Sequence, residues 1–192
     1  MIANVRAFVA VHLDTATRAA LASAVADLRV PAAALPVAWV APENFHVTLK
    51  FLGGIDEGRV PAVTEALHAA AADHRSFEME VAGLGAFPSA TRPRVLWAGI
   101  VSGSDPLAAL ASAVDDRLAV LGFPREARAF APHITLGRVR EPRRAPQLTD
   151  ALGAAAARPF GRVAIDHVTL MRSDLSPRGA RYTALVSVPL SP

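Results

Sequence analysis

The chain has 192 residues, the size of one domain, with 52% hydrophobic and 19% charged residues, so it has the apolar material for a core and too little charge for a disordered chain. It has no cysteine, which excludes disulfides, thiolate metal sites, iron–sulfur clusters and a cysteine nucleophile. The formal charge is +3, and Lys50 is the one lysine among 20 basic residues; arginine pairs bidentately with phosphate, so the composition permits a phosphate-bearing partner without requiring one.

The stretch from Met1 to Leu13 is too short and too polar for a signal peptide or a membrane span, so a soluble cytoplasmic protein with no membrane partner is expected. Val5 to Leu13 reads as a buried strand and Thr15 to Leu28 as a helix capped by Asp14. Val37 to Val40 is a short apolar stretch, and Phe45 to Leu52 alternates as a strand that should stop at Gly53-Gly54. Asp56 to Ala72 reads as a helix with Pro61 in its opening turns, Phe77 to Leu84 as a strand, and Gly85 to Pro93 as a loop. Arg94 to Val101 follows as a strand, Asp105 to Leu121 as a helix, Pro132 to Leu136 as a strand and Pro146 to Ala157 as a helix. Phe160 to Met171 and Arg181 to Val188 are the last two strands expected.

The two halves share one order: strand, helix, histidine-bearing strand, helix, strand. His46 and His133 hold the same place in it, 87 residues apart. With two long copies this is no solenoid. The expectation is a single catalytic domain of two pseudosymmetric lobes, with repeat units roughly 5–90 and 94–188 and a cleft between them.

The tripeptide His-x-Thr with an apolar centre occurs at His46-Val47-Thr48 and His133-Ile134-Thr135. Strand alternation puts each His and Thr on one face and the apolar residue on the other. Six histidines and nine threonines in this length would supply about 0.3 such tripeptides by chance, so a matched pair is informative. A third copy, His167-Val168-Thr169, falls opposite Glu80 in the 87-residue offset and has no partner in the first half; His167 reads as a strand histidine on a polar or lobe-facing surface. His12, His68 and His74 carry no spacing signal and read as structural or exposed.

Two histidines facing across a cleft suit in-line displacement at phosphorus: one neutral imidazole takes a proton from water and one imidazolium protonates the leaving oxygen. The threonine hydroxyls can donate to the non-bridging oxygens. Two histidines fall short of a catalytic zinc's usual three ligands, and no nucleophile elbow or phosphate loop is present, so no metal and no cofactor are expected.

The paired motifs, the run His46 to Gly53, the tract Gly83-Leu-Gly-Ala-Phe-Pro88 before Arg94 to Trp97, the run Pro132 to Arg138, and Arg172-Ser-Asp-Leu-Ser-Pro177 before Arg181-Tyr182 together resemble the RNA 2',3'-cyclic phosphodiesterases. These are also called 2'-5' RNA ligases and belong to the two-histidine phosphoesterase superfamily. The resemblance spans nearly the whole chain. It implies a bilobal α+β fold with two antiparallel sheets lining a central cleft and helices outside. It implies metal-independent opening of an RNA terminal 2',3'-cyclic phosphate to a 2'-phosphomonoester, with the joining of such an end to a 5'-hydroxyl in a 2'-5' linkage as the reverse of a chemically similar cleavage. Carried over by position, His46 is the proton donor, His133 the proton acceptor, and Thr48, Thr135 and Arg138 bind the phosphate. The expected partner is an RNA end bearing the cyclic phosphate or a related nucleotide, met by a monomer.

Strict alternation places Arg138 on the face opposite His133, so its assignment requires a bend or bulge at Gly137. Alternation puts Lys50 on the His46 face, where a strand-end lysine reads as solvated. Phe45, Phe51, Phe87, Trp39 and Trp97 are candidates for core packing or for stacking on a base. The basic run Arg138 to Arg144 reads as a solvated loop or as an electrostatic lip for a nucleic-acid backbone. Two alternatives stay open: a module that binds nucleotides or RNA ends without turnover, and a related phosphoesterase for a small cyclic nucleotide.

Overall fold

A computed structural model describes residues 4–176 and 179–192; Pro177, the end of one family-like run, and the first three residues lie outside these. Among the described residues there are nine strands and four α-helices: β1 (Asn4–His12), α1 (Thr15–Arg29), β2 (Val37–Trp39), β3 (His46–Asp56), α2 (Val60–Ala71), β4 (Phe77–Phe87), β5 (Val95–Ser102), α3 (Ser104–Val120), β6 (His133–Val139), α4 (Pro146–Ala154), β7 (Pro159–Ile165), β8 (His167–Ser176) and β9 (Gly179–Pro189). The α+β class and the antiparallel pairing follow the expectation.

The strands run β7-β4-β5-β6-β3-β1-β8-β9, with β2 added to β6. The two expected sheets are therefore two lobes of one curled sheet, joined where β3 meets β6 at the single pair Val47↔Ile134. Past that pair β6 takes β2 as its partner, with Trp39 on Gly137 and Val37 on Val139. Each lobe draws strands from both halves of the sequence, because β4 joins β5 and β7 while β8 and β9 join β1.

Helices pack on one face of each lobe. In α3 the buried positions Leu107, Leu110, Ala111, Val114 and Leu118 fall at helical spacing; each fully buried leucine contributes about 1.5–3 kcal/mol. They join Val9, Val47, Leu96 and Ile134 in the main core. A smaller cluster of Phe8, Ala10 and Met171, with Tyr182 against it, lies on the opposite face of the first lobe. This is the cleft side. Among the described residues no helix is long and apolar enough to cross a membrane.

Asp14 caps α1 as expected, its carboxylate accepting from the Thr17 N–H at 2.7 Å. Asp14→Ala is expected to cost about 1 kcal/mol, read as a lower urea midpoint with an unchanged slope; an unmoved midpoint would remove the cap from the account.

Several boundaries differ from the sequence reading, each for a local reason. β3 does not stop at Gly53-Gly54 but runs to Asp56, because Gly53 pairs with Ala7 and Gly54 with Arg6. The helix expected from Asp56 starts as a tight turn over Glu57–Arg59, with the Asp56 side chain accepting from the Gly58 N–H at 2.8 Å, and α2 proper begins at Val60. β4 continues to Phe87 because Gly85, Ala86 and Phe87 pair with Trp97, Leu96 and Val95. β6 runs on to Val139, and α4 ends at Ala154. The strand expected over Phe160 to Met171 is two strands. The chain leaves β4's side at Ile165, resumes as β8 at His167 and pairs with β1 from Thr169 onward, crossing between lobes at Asp166.

Candidate active site

Both His-x-Thr motifs lie at the strands that join the lobes. Val47 and Ile134 pair, and both are wholly buried, so His46, Thr48, His133 and Thr135 share the other face. Continuing that antiparallel register by one residue sets Thr48 beside His133 and Thr135 beside His46. The structure thus brings the four residues together.

Each imidazole is held in the same way. His46 Nδ1 donates to the Asn44 carbonyl at 2.7 Å, and His133 Nδ1 donates to the Ala131 carbonyl at 2.7 Å. A carbonyl only accepts, so the neutral ring carries its proton on Nδ1 and keeps Nε2 for chemistry. His46 Nε2 accepts from the Thr48 hydroxyl at 2.9 Å. Asn44 is itself anchored, its amide donating to Ala180 O of β9 at 2.8 Å.

The surroundings of the two rings differ. His46 lies 4.9 Å from the Phe8 ring and meets the Tyr182 ring edge-on at 5.4 Å. Burial, reinforced by the neighbouring His12 and His133 and opposed by the Asn44 carbonyl, pushes His46 down to about 4. It is a neutral ring at pH 7 in the free protein. His133 meets Phe87 edge-on at 5.1 Å, and Phe87 packs on Trp97 at 5.3 Å. Trp97 lies across Gly85, where a Cβ would come within 2.3 Å of the indole. That close approach explains the glycine in the Gly83 to Pro88 tract.

Both motif strands bulge at the residue after the threonine. Thr48 pairs with Ala10 and Lys50 with Val9, leaving Leu49 unmatched; Thr135 pairs with Trp97 and Gly137 with Leu96, leaving Leu136 unmatched. Each extra residue reverses the alternation downstream. Arg138 is therefore exposed on the face of His133 and Thr135. The irregularity its assignment required is present, at Leu136 rather than at Gly137.

The same device corrects the reading of Lys50. It is neither solvated nor on the His46 face: only 4% of its side chain is exposed, and its ammonium is paired with Asp115 of α3 and donates to Pro124 O at 2.7 Å. Phe51 takes the cleft-side position instead, 6.1 Å from Phe8 and 63% exposed. At the matching position on β6 Gly137 replaces the lysine, where a Cβ would lie 2.8 Å from Val37 and 3.1 Å from the Trp39 ring.

Of the other aromatic candidates, Phe45 is core, Trp39 lies half-buried beneath the Arg29 guanidinium, and Phe87 is 37% exposed. His68 is exposed on α2, and His74 donates to Ala70 O at 2.9 Å. His12 was not singled out by spacing, yet it pairs with His46 across β1 and β3. Phe8 and Tyr182 likewise carried no assigned role; the sign available for Phe8 was its place on the strand that pairs with the first motif. Among the described residues no three His, Asp or Glu side chains cluster as metal ligands.

The chain has relatives among known proteins. The sequence pattern of the 2'-5' RNA ligase superfamily matches residues 17–177. The chain is 34% identical to an RNA 2',3'-cyclic phosphodiesterase of Methanothermobacter thermautotrophicus, over 94% of this chain and 96% of that one. It is 34% identical to an enzyme of the same name from Aquifex aeolicus, over 77% and 78% respectively. Among solved structures it is similar to TT0787 of Thermus thermophilus (TM-score 0.79, 30% identity, 96% and 97% of the two chains). It is also similar to E. coli LigT complexed with 3'-AMP (TM-score 0.75, 26% identity, 99% and 100%).

Proposed function

Because this chain belongs to the 2'-5' RNA ligase superfamily, we propose that it is an RNA 2',3'-cyclic phosphodiesterase that opens the terminal ring with its two cleft histidines and no metal. The observation that carries this reading is the meeting of two identically held imidazoles, each with a threonine two residues on, at the one pair that joins the lobes.

His133, neutral, takes a proton from water as the water oxygen bonds to phosphorus. The bond from phosphorus to the 3'-oxygen breaks on the opposite side, and His46, protonated, gives its proton to that oxygen. The product is a 2'-phosphomonoester. Thr48, Thr135 and Arg138 hold the non-bridging oxygens, where hydrogen-bond donors and a guanidinium stabilise the gathering charge. With a 5'-hydroxyl in place of water as the attacking group, the same base and acid form a 2'-5' linkage as the bond to the 3'-oxygen breaks.

A proton donor must carry a proton, and free His46 is neutral above about pH 4. A bound phosphodiester anion within hydrogen-bond reach favours the imidazolium and raises that value. The pH profiles should record this. In kcat/KM, which reports the free protein, the acid limb is expected near the low value of His46; in kcat, which reports the bound state, it should lie at higher pH. Acid limbs that coincide near the ordinary histidine pKa of about 6.5 would contradict the proposed recharging.

A further inference from the structure

The third His-x-Thr is not absorbed by this chemistry, yet it lies on the same side of the sheet. Ala10 pairs with Thr169; continuing that register by two residues brings His167 beside His12, which itself pairs with His46. Three histidines thus stand in one row across β3, β1 and β8. Next to His12 and His167 is a pocket of about 220 Å³ lined by His12, Asp166, His167, Thr169 and Ser187, with Ala164 and Ile165 completing its wall.

The lining selects among ligand groups. It contains no lysine or arginine, and the Asp166 carboxylate disfavours a phosphate. His167 Nδ1 donates to Asp166 at 2.8 Å, which leaves Nε2 for another partner. The Thr169 and Ser187 hydroxyls lie 3.4 Å apart and can each donate or accept. Burial, aided by the Arg18 guanidinium, holds His12 below the usual histidine range, so it is a neutral ring with one donor and one acceptor. A neutral planar ligand edged with both donors and acceptors fits this set, and the volume suits one heterocycle. His12 pairs with His46, so a ligand in this pocket lies one strand over from the ring assigned as proton donor.

We propose that the pocket of His12, Asp166, His167, Thr169 and Ser187 recognises the base of the nucleotide that carries the cyclic phosphate. The proposal rests on the phosphodiesterase reading above. Base edges differ in their donors and acceptors, so a pocket that hydrogen-bonds one of them discriminates against the others.

The test compares kcat/KM on the 2',3'-cyclic phosphates of adenosine, guanosine, cytidine and uridine. The unaltered protein is expected to separate best from worst base by at least about tenfold, as the loss of a desolvated hydrogen bond requires. His167→Ala and Ser187→Ala should each compress that spread to within about threefold. His167 is half-exposed, 47% of its side chain, so its loss leaves the fold intact. Equal rates on all four bases in the unaltered protein, or an unchanged spread in both variants, would overturn the proposal. Calorimetric titration with the four nucleoside 2'-monophosphates reads the preference without turnover. Absent hydrolysis with a base-selective titration would count against the phosphodiesterase reading alone, and a base-blind titration against the pocket.

Discussion

His46→Ala and His133→Ala are each expected to lower kcat on a 2',3'-cyclic phosphate end by about 10²–10⁴-fold, the usual contribution of one general acid or base. The two losses should not add, because an acid without its base leaves the in-line step incomplete. Neither residue supports the fold: both are only partly buried, and the apolar partners beneath them, Val47 and Ile134, stay in place. Far-UV circular dichroism should therefore be unchanged. His167→Ala removes a ring of the same chemistry from the same sheet face but outside the proton-transferring pair, and its loss should be far smaller than either. A variant lacking His46 or His133 that kept its activity would remove that ring from the reaction.

Lys50→Ala carries the largest expected effect on stability. Lys50 and Asp115 join β3 to α3; Asp115 is 18% exposed and also accepts from the Glu126 N–H at 3.3 Å. Removing the ammonium strands a carboxylate with little solvent and leaves the Pro124 carbonyl without its donor, so a loss on the order of 3 kcal/mol is expected. It would be read as a lower urea midpoint. Replacing both partners by apolar groups, Lys50→Met with Asp115→Leu, should recover most of it, since the cost lies in the orphaned charge. A loss below about 0.5 kcal/mol for the single variant would place the pair among surface salt bridges.

The sequence carried the chemistry of this site further than its shape. Short apolar periods located the motif strands, and the paired tripeptides named the four residues that meet in the cleft, because a period of two fixes which side chains share a face. That rule fails wherever one residue is inserted. The bulges at Leu49 and Leu136 send Lys50 into the core and bring Phe51 and Arg138 to the sheet face of the motif histidines, and neither leucine differs in character from a regularly paired one. The recurrence of the bulge after both threonines was legible only as a conflict over Arg138.

Strand exchange between the lobes was equally hidden. Alternation continues from Phe160 through Met171, and nothing local marks Asp166 as the crossing; the change comes from pairing partners far away in sequence. His12 was missed for the same reason. Its place beside His46 comes from strand register, which a lone histidine at a strand end does not announce.

The most direct measurement is the fate of an RNA oligonucleotide ending in a 2',3'-cyclic phosphate, incubated with the protein in excess EDTA and followed by phosphorus NMR. The two-histidine account predicts complete conversion to the 2'-phosphomonoester, at a rate unaffected by the chelator. Hydrolysis that stops on chelation, or a 3'-phosphomonoester as the product, would contradict it.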